Sequence, residues 1–265
     1  MKKAFAMLLS LALLLGAAGA MAESTTITMG TNAGFAPFEY IGDDGEITGF
    51  DVELAYLMAQ EMGMELVIED MYFDGLLAAL DQGTVDFVMA AMTINDERKE
   101  AALFSTPYFN ASQAVVVQED YEGIQTVEDI ADKKVATQDG TTGYFMALDT
   151  FGCDASNVAA FKASTDCVLE LTSGRADCII IDDSVAQNFL QNFDGLKIVE
   201  GLEMPLEEYG IAVKLGNEEL LEKINAALQT LVDNGTYDEI YAKYFLAAEE
   251  TEGAEETAET EEAAG

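Results

Sequence analysis

Between Thr26 and Phe245 short apolar runs alternate with longer stretches in which apolar residues recur every three or four positions. The first kind reads as buried strand and the second as helix lying on a sheet, because side chains repeat every two residues in a strand and about every 3.6 in a helix. Strands are predicted at Thr26–Thr31, Glu65–Asp70, Asp86–Ala91, Ala114–Gln118, Lys134–Gln138, Asn157–Lys162, Asp177–Ile181, Leu196–Glu200 and Gly210–Lys214. Helices are predicted at Asp51–Met62, Phe73–Gln82, Asp96–Ala102, Thr126–Ala131, Thr142–Asp149, Thr165–Ser173 and Ser184–Asn192, with a long pair after Asn217. Strand and helix in alternation predict an α/β fold made of β-α-β units.

One of these units occurs twice. Leu80-Asp81-Gln82-Gly83-Thr84-Val85-Asp86 and Leu171-Thr172-Ser173-Gly174-Arg175-Ala176-Asp177 share a helix, a stopping glycine and an apolar strand at the same spacing. Superposing them sets Ala91 opposite Asp182, each at the carboxyl end of a strand, where open α/β sheets hold their ligands. Pro107 and Pro205 stand shortly before strand-like runs and mark two crossings between lobes, near Ser112–Ala114 and near Tyr209–Ala212. Lobe 1 is then discontinuous, 23–112 with 212–247, and lobe 2 is 113–211.

The ends have different compositions. Residues 1–22 carry Lys2 and Lys3, an apolar run from Ala4 to Leu15 and small residues to Ala22, the pattern of a cleavable signal peptide. Export to the periplasm or the extracellular space is expected. No cysteine follows the run, so a lipid anchor is not. From Ala247 only Ala, Glu, Thr and Gly occur, so 248–265 is expected to be an acidic, disordered tail. Without the tail's eight glutamates and Lys2 and Lys3, the 50 acidic and 12 basic side chains fall to 42 and 10, a net charge of −32. Such a surface excludes an ordinary nucleic-acid binder and makes a bound anion costly unless fixed cations hold it. The chain contains no histidine, which excludes serine-protease triads and histidine-held zinc. Neither a cofactor nor a metal is expected. Cys153, Cys167 and Cys178 allow at most one internal disulfide, and Cys178, in an apolar run, reads as a packed core residue.

The segment Gly49-Phe50-Asp51-Val52-Glu53-Leu54-Ala55-Tyr56-Leu57-Met58-Ala59-Gln60-Glu61-Met62 resembles the signature of the extracellular solute-binding proteins of polar amino-acid ABC importers, solute-binding protein family 3. Gly30-Thr31-Asn32, Phe35-Ala36-Pro37-Phe38-Glu39-Tyr40, Met92-Thr93-Ile94-Asn95-Asp96-Glu97-Arg98-Lys99, Gly140-Thr141-Thr142 and Ile181-Asp182 extend the resemblance from about Thr26 to Phe245. It implies a two-lobed, type II periplasmic-binding-protein fold with a two-strand hinge.

It also implies a site. Arg98, one of two arginines, matches the residue that holds the ligand's α-carboxylate, a role suited to the paired donors of a guanidinium. A surface ion pair with Asp96 or Glu97 is the bland alternative, and Arg175 reads as an exposed solubilising residue. Thr93, Thr141 and Thr142 would complete the carboxylate site at a helix start, where a threonine also serves as an N-cap. Asp182, directly after four apolar residues, must face water, a partner or a ligand cation. The resemblance gives it the α-ammonium, together with the Ala91 carbonyl, while a helix cap is the alternative. Phe35 and Phe50 match the aromatics that sandwich the ligand's aliphatic part. Phe38, Tyr40 and Tyr72 read as core or rim. Asn32 stands where many relatives for basic amino acids, and some for glutamine, have aspartate, and Gln138 occupies another pocket position. Two neutral side chains point to a neutral polar ligand such as glutamine, whereas the overall charge draws cations at long range.

The expected function is capture of a free polar L-amino acid by a monomer, through hinge closure, and its delivery to permease subunits in the membrane. The ATPase would be a separate protein, since no G-x-x-x-x-G-K-[ST] loop occurs. The alternatives on the same scaffold are a sensory ligand-binding protein and a dehydratase-type enzyme.

Overall fold

The computed structural model describes residues 25–246. The signal segment 1–22 and the tail 248–265 lie outside the described residues. In chain order the elements are β1 (Thr25–Thr31), β2 (Tyr40–Ile41), β3 (Ile47–Thr48), α1 (Phe50–Glu61), β4 (Met64–Asp70), α2 (Leu76–Gln82), β5 (Phe87–Val88), α3 (Asp96–Ala101), β6 (Ala102–Phe104), β7 (Phe109–Gln118), β8 (Val135–Gln138), α4 (Thr142–Phe145), β9 (Val158–Phe161), α5 (Ser164–Thr172), β10 (Cys178–Asp182), α6 (Asp183–Asn192), β11 (Leu196–Ile198), β12 (Leu206–Tyr209), β13 (Ala212–Lys214), α7 (Glu218–Asp233) and α8 (Thr236–Tyr241). Short 3-10 turns precede α2 and β8, and a π-helical turn extends α4.

These elements form two lobes, each built on one sheet. The first has the order β4-β1-β5-β13-β6, with β1 parallel to β4 and β5 and β13 antiparallel to its neighbours. The second has the order β11-β7-β10-β8-β9, with β12 paired to the first half of β7. The chain leaves the first sheet after Phe104 and rejoins it at Ala212, so the antiparallel pair β7 and β12, with Phe109 opposite Tyr209, stands where the lobes meet. Phe38, Phe50, Phe109, Tyr209 and Phe245 pack there with ring centroids 4.9–6.3 Å apart. Buried aromatic clusters of this size stabilise by area and by edge-to-face geometry.

The repeated unit keeps its geometry. Gly83 and Gly174 both turn left-handed after their helices, at φ of 74° and 72°. Each is followed by the same backbone bonds, Thr84 N–H to Ala79 O and Arg175 N–H to Glu170 O. Each Asp then exchanges two hydrogen bonds with the neighbouring strand. Asp86 donates its N–H to Thr28 O while its Oδ2 accepts Thr28 N–H, and Asp177 does the same with Lys134, all four at 2.8 Å.

The start of α1 depends on a glycine. Phe50 and Asp51 donate their N–H groups to Pro37 O and Phe38 O, both at 3.0 Å, so that a loop satisfies amides a helix start leaves free. This requires Gly49 at φ 130°, where a Cβ would lie 2.2 Å from Phe38 O. The three cysteines are free and buried, and burial pushes each thiol up, so they are inert core residues. Among the described residues no helix is long and apolar enough to cross a membrane.

Gly49→Ala is expected to cost about 3 kcal/mol or more, the range of substitutions that force strain at a special backbone conformation. Urea unfolding followed by far-UV circular dichroism would register it as a lower midpoint with unchanged slope.

Candidate functional site

A narrow cleft lies between the lobes and is walled by residues at strand ends. Asn32 follows β1, Ala91 lies just beyond β5, Gln138 closes β8 and Asp182 closes β10, so four strand ends converge on one space. Phe35, Thr93, Arg98, Thr141 and Thr142 complete the predicted wall, and Glu39, Phe73 and Ala90 join them.

Arg98 is 8% exposed. Asn95 caps α3 by accepting the Arg98 N–H at 2.8 Å, which fixes the side chain's point of departure. Its guanidinium donates to Thr93 O at 2.8 Å and Gly140 O at 3.2 Å and lies 5.2 Å from the centre of the Phe73 ring. Among the described residues it makes no ion pair. The surface alternative is thus not what forms, and Asp96 pairs with Lys99. Burial lowers the Arg98 pKa, opposed mainly by Glu207 and then Asp182. A buried cation held only by carbonyls is a strong receptor for a carboxylate.

Asp182 is also buried and accepts a short hydrogen bond from Tyr209 OH. It makes no side-chain cap for α6; Asp183 Oδ1 instead accepts Ser184 N–H at 2.7 Å. Burial, followed by Glu207, pushes the Asp182 carboxyl up to about 7, while the hydrogen bond from Tyr209 pulls it down. Thr142 OH donates to Thr93 Oγ at 3.1 Å and Thr93 OH to Glu207 Oε2 at 2.5 Å, a chain running from α4 to β12. Thr141 lines the cavity and caps α4 at once, accepting Tyr144 N–H at 3.4 Å. Ala91 stands at φ +46°, a conformation non-glycine residues rarely adopt, held by its N–H on Asp51 Oδ2 at 2.8 Å.

Asn32 and Gln138 meet across the cleft. Gln138 Nε2 donates to Asn32 Oδ1 at 2.6 Å while Asn32 Nδ2 donates to Met71 O at 2.8 Å. An aspartate at position 32 would have no donor for Met71, which is a local reason for the amide. Ser164 OH to Gly34 O at 2.5 Å and Lys162 Nζ to Asp74 at 2.7 Å also join the lobes.

Phe50 is the one predicted cavity residue that the structure removes from the wall. It is fully buried in the aromatic core, 5.2 Å from Phe245 and 5.7 Å from Tyr237. Phe73 takes the place beside Phe35. Both Phe50 and Phe73 are followed by Asp and open a helical turn, so the sequence offers twins, and only the packing separates them. Phe50 belongs to α1, whose inner face is core, whereas Phe73 sits in the turn beyond β4, at the cleft.

The sequence matches the family described as bacterial extracellular solute-binding proteins, family 3, over residues 27–247. The chain belongs to this family. It is 35% identical to a probable histidine-binding protein of Neisseria gonorrhoeae over 218 residues, 81% of each chain. It is also 35% identical to the arginine-binding extracellular protein ArtP of Bacillus subtilis, over 86% of this chain and 89% of that one. Among solved structures, an ancestral arginine-binding protein bound to glutamine superposes with a TM-score of 0.78 at 40% identity, covering 83% of this chain and 97% of that one. The two-lobed fold expected of the family is the fold observed.

Glu39, Asp51 and Asp182 are all raised above their unfolded values, Asp51 to about 6 and Asp182 to about 7, with burial the first cause in each. The folded state therefore holds more protons than the unfolded one, and the stability these groups contribute is greatest below about pH 4 and lost as pH rises through 6 to 7. The ligand-free protein is expected to melt at a higher temperature at pH 5 than at pH 7 in a calorimeter, and Asp182→Asn to narrow the gap.

Proposed function

We propose that this chain is the capture component of an ATP-driven importer, exported by its signal segment, and that it binds an amino acid between two closing lobes. Lobe 1 is 23–112 with 212–247, lobe 2 is 113–211, and the paired strands β7 and β12 are the hinge. The observation that carries this reading is the buried Arg98 guanidinium, without a carboxylate partner among the described residues, sharing one cavity with the buried Asp182 carboxyl. An α-amino acid presents a carboxylate and an ammonium a fixed distance apart, and such a cavity answers both. The ligand carboxylate meets Arg98, Thr93 and the start of α4 with Thr141 and Thr142, and the ammonium meets Asp182 and the Ala91 carbonyl. Phe35 and Phe73 enclose the aliphatic portion and exclude water, which strengthens both ionic contacts.

Beyond these contacts the wall consists of Ala90 and three polar side chains, Asn32, Gln138 and Glu39. Three side chains that accept hydrogen bonds suit a ligand side chain ending in N–H donors, so glutamine and arginine are the first candidates. The relatives named for arginine and histidine, and the ancestral protein bound to glutamine, agree with that class. Lobe closure would present a joined surface to membrane permease subunits, and the chain would work without cofactor or chemistry. A dehydratase on this scaffold would use a raised acid such as Asp182. The unpaired Arg98 and the family's transport relatives favour capture.

Thermal melting of the mature protein against the twenty amino acids tests the reading, since a ligand at 100 times its Kd stabilises by about 2.7 kcal/mol. A shift with one or a few polar amino acids is expected, and no shift with any would refute capture. Arg98→Ala is expected to weaken binding by about 2–5 kcal/mol, as truncating one side of a buried ion pair does. Phe73→Ala is expected to weaken binding more than it lowers stability. Phe50→Ala should instead cost about 3–5 kcal/mol of stability, and calorimetric titration beside chemical unfolding separates the two.

A further inference from the structure

The inward side chains of the hinge strand β12 each hold a residue of the cavity wall. Along Leu206–Tyr209 exposure alternates, with Glu207 and Tyr209 buried. Tyr209 OH donates to Asp182, and Glu207 Oε2 accepts the Thr93 OH at 2.5 Å. Backbone bonds on either side of Thr93 keep the second contact in register: Ile94 N–H donates to Glu208 O at 2.8 Å and Gly210 N–H to Met92 O at 3.0 Å. Glu207 is 7% exposed, is not part of the cavity wall, and its Oε1 meets no donor among the described residues. It stands one hydroxyl behind the wall that receives the ligand's carboxylate.

That position governs where the hydroxyl hydrogens go. A carboxylate only accepts, so while Glu207 is ionised the single Thr93 hydroxyl hydrogen lies on it. Thr142 then donates to Thr93, across 3.1 Å. Neither threonine hydroxyl has a hydrogen left for an incoming carboxylate. Protonated Glu207 reverses the chain: its O–H donates to Thr93 Oγ, and the Thr93 hydrogen is freed for the ligand. Only hydrogens turn, and every heavy atom stays in place.

The groups that face Glu207 act in the same direction. Burial raises its carboxyl above the ordinary value, opposed by the hydroxyls of Thr93 and of Thr142 on α4 and by Arg98 of α3. Asp182 of β10 and Tyr209 of β12 are raised in turn by the Glu207 charge, and Gln113 of β7 is uncharged. Arg98 is thus the one cation among these groups, and Thr93 the nearest donor. A ligand carboxylate takes over both, and with them what keeps Glu207 ionised.

We propose that Glu207 is a positioning residue of the ligand site, which on capture of the ligand's carboxylate takes up one proton from solvent and turns the Thr93 hydroxyl into a donor to the ligand. The inference rests on the amino-acid capture reading. The proton joins Glu207 Oε2, Glu207 donates to Thr93 Oγ, and Thr93 donates to the ligand, so one proton is consumed and no bond between heavy atoms changes. Binding raises the pKa of Glu207. Its contribution to affinity is therefore complete while the ligand-free protein still holds the proton and is lost as pH rises beyond that point.

Calorimetric titration with glutamine and with arginine from pH 5 to pH 8 compares the mature protein with Glu207→Gln, whose amide can donate to Thr93 at every pH. The variant is expected to bind about as tightly as the unaltered protein at pH 5 and about tenfold more tightly at pH 8, since a pKa that rises by one on binding changes affinity tenfold. Asp182 cannot produce this trend. Without the Glu207 charge its carboxyl ionises more readily, which favours the variant at low pH rather than high. A ratio that does not change with pH, or a variant weaker throughout, overturns the inference and leaves capture standing. If Glu207→Gln does not fold, 13C NMR of the glutamate carboxyls decides, the Glu207 signal being the one missing from Glu207→Asp. Its midpoint is expected to move to higher pH with glutamine or arginine bound, and an unmoved midpoint overturns the inference. Heat from neither ligand at any pH overturns the capture reading, and this inference with it.

Discussion

The Asp51 carboxylate accepts the Ala91 amide and the Tyr108 hydroxyl, and so ties together three stretches of chain that are distant in sequence. It leaves the first turn of α1, itself aimed by the loop carbonyls of Pro37 and Phe38. It holds the bend after β5 in its left-handed form and reaches the segment that leads into β7. A buried carboxylate is costly unless donors surround it, and its two donors are the groups that shape the cavity's back wall and the crossing between lobes. The signature that opens at Gly49 is therefore more than a helix. It is the fixture on which the carbonyl end of the first sheet is set.

The second lobe answers with a different solution at the equivalent place. Ala91 and Asp182 occupy matching positions of a repeated unit whose glycines, turns and aspartate brackets superpose bond for bond. One end is a strained backbone that offers its carbonyl, and the other is a carboxyl side chain steadied by Tyr209. Two copies of one scaffold have diverged at the residue that faces the cleft while keeping the bonds that build the strand behind it.

Much of this was legible from hydropathy. The strands read as apolar runs and the helices as periodic ones appear in place, with ends displaced by a few residues. β7 starts at Phe109 rather than Ala114 because Asn110 and Ser112 break its apolar pattern. The hairpin β2–β3, β6 and β12 escaped because two to four residues carry too little pattern. Glu207 and Glu39 escaped for a chemical reason: in a chain with 50 acidic residues a glutamate reads as solvated surface. Both are buried instead, Glu207 as an inward residue of a strand that alternates exposed and buried. Phe50 reads as a cavity aromatic although it is core, because short-range context cannot distinguish a core face from a cleft face.

The lobes are also fastened to each other away from the ligand space, by Ser164 on Gly34 and Lys162 on Asp74. These bonds join protein to protein, so they contribute alike whatever the cavity holds, and they must break before any occupant departs. They lengthen dwell time without discriminating between occupants. Selectivity is left to the wall, while the pace of handover is set by how readily the two halves are pulled apart.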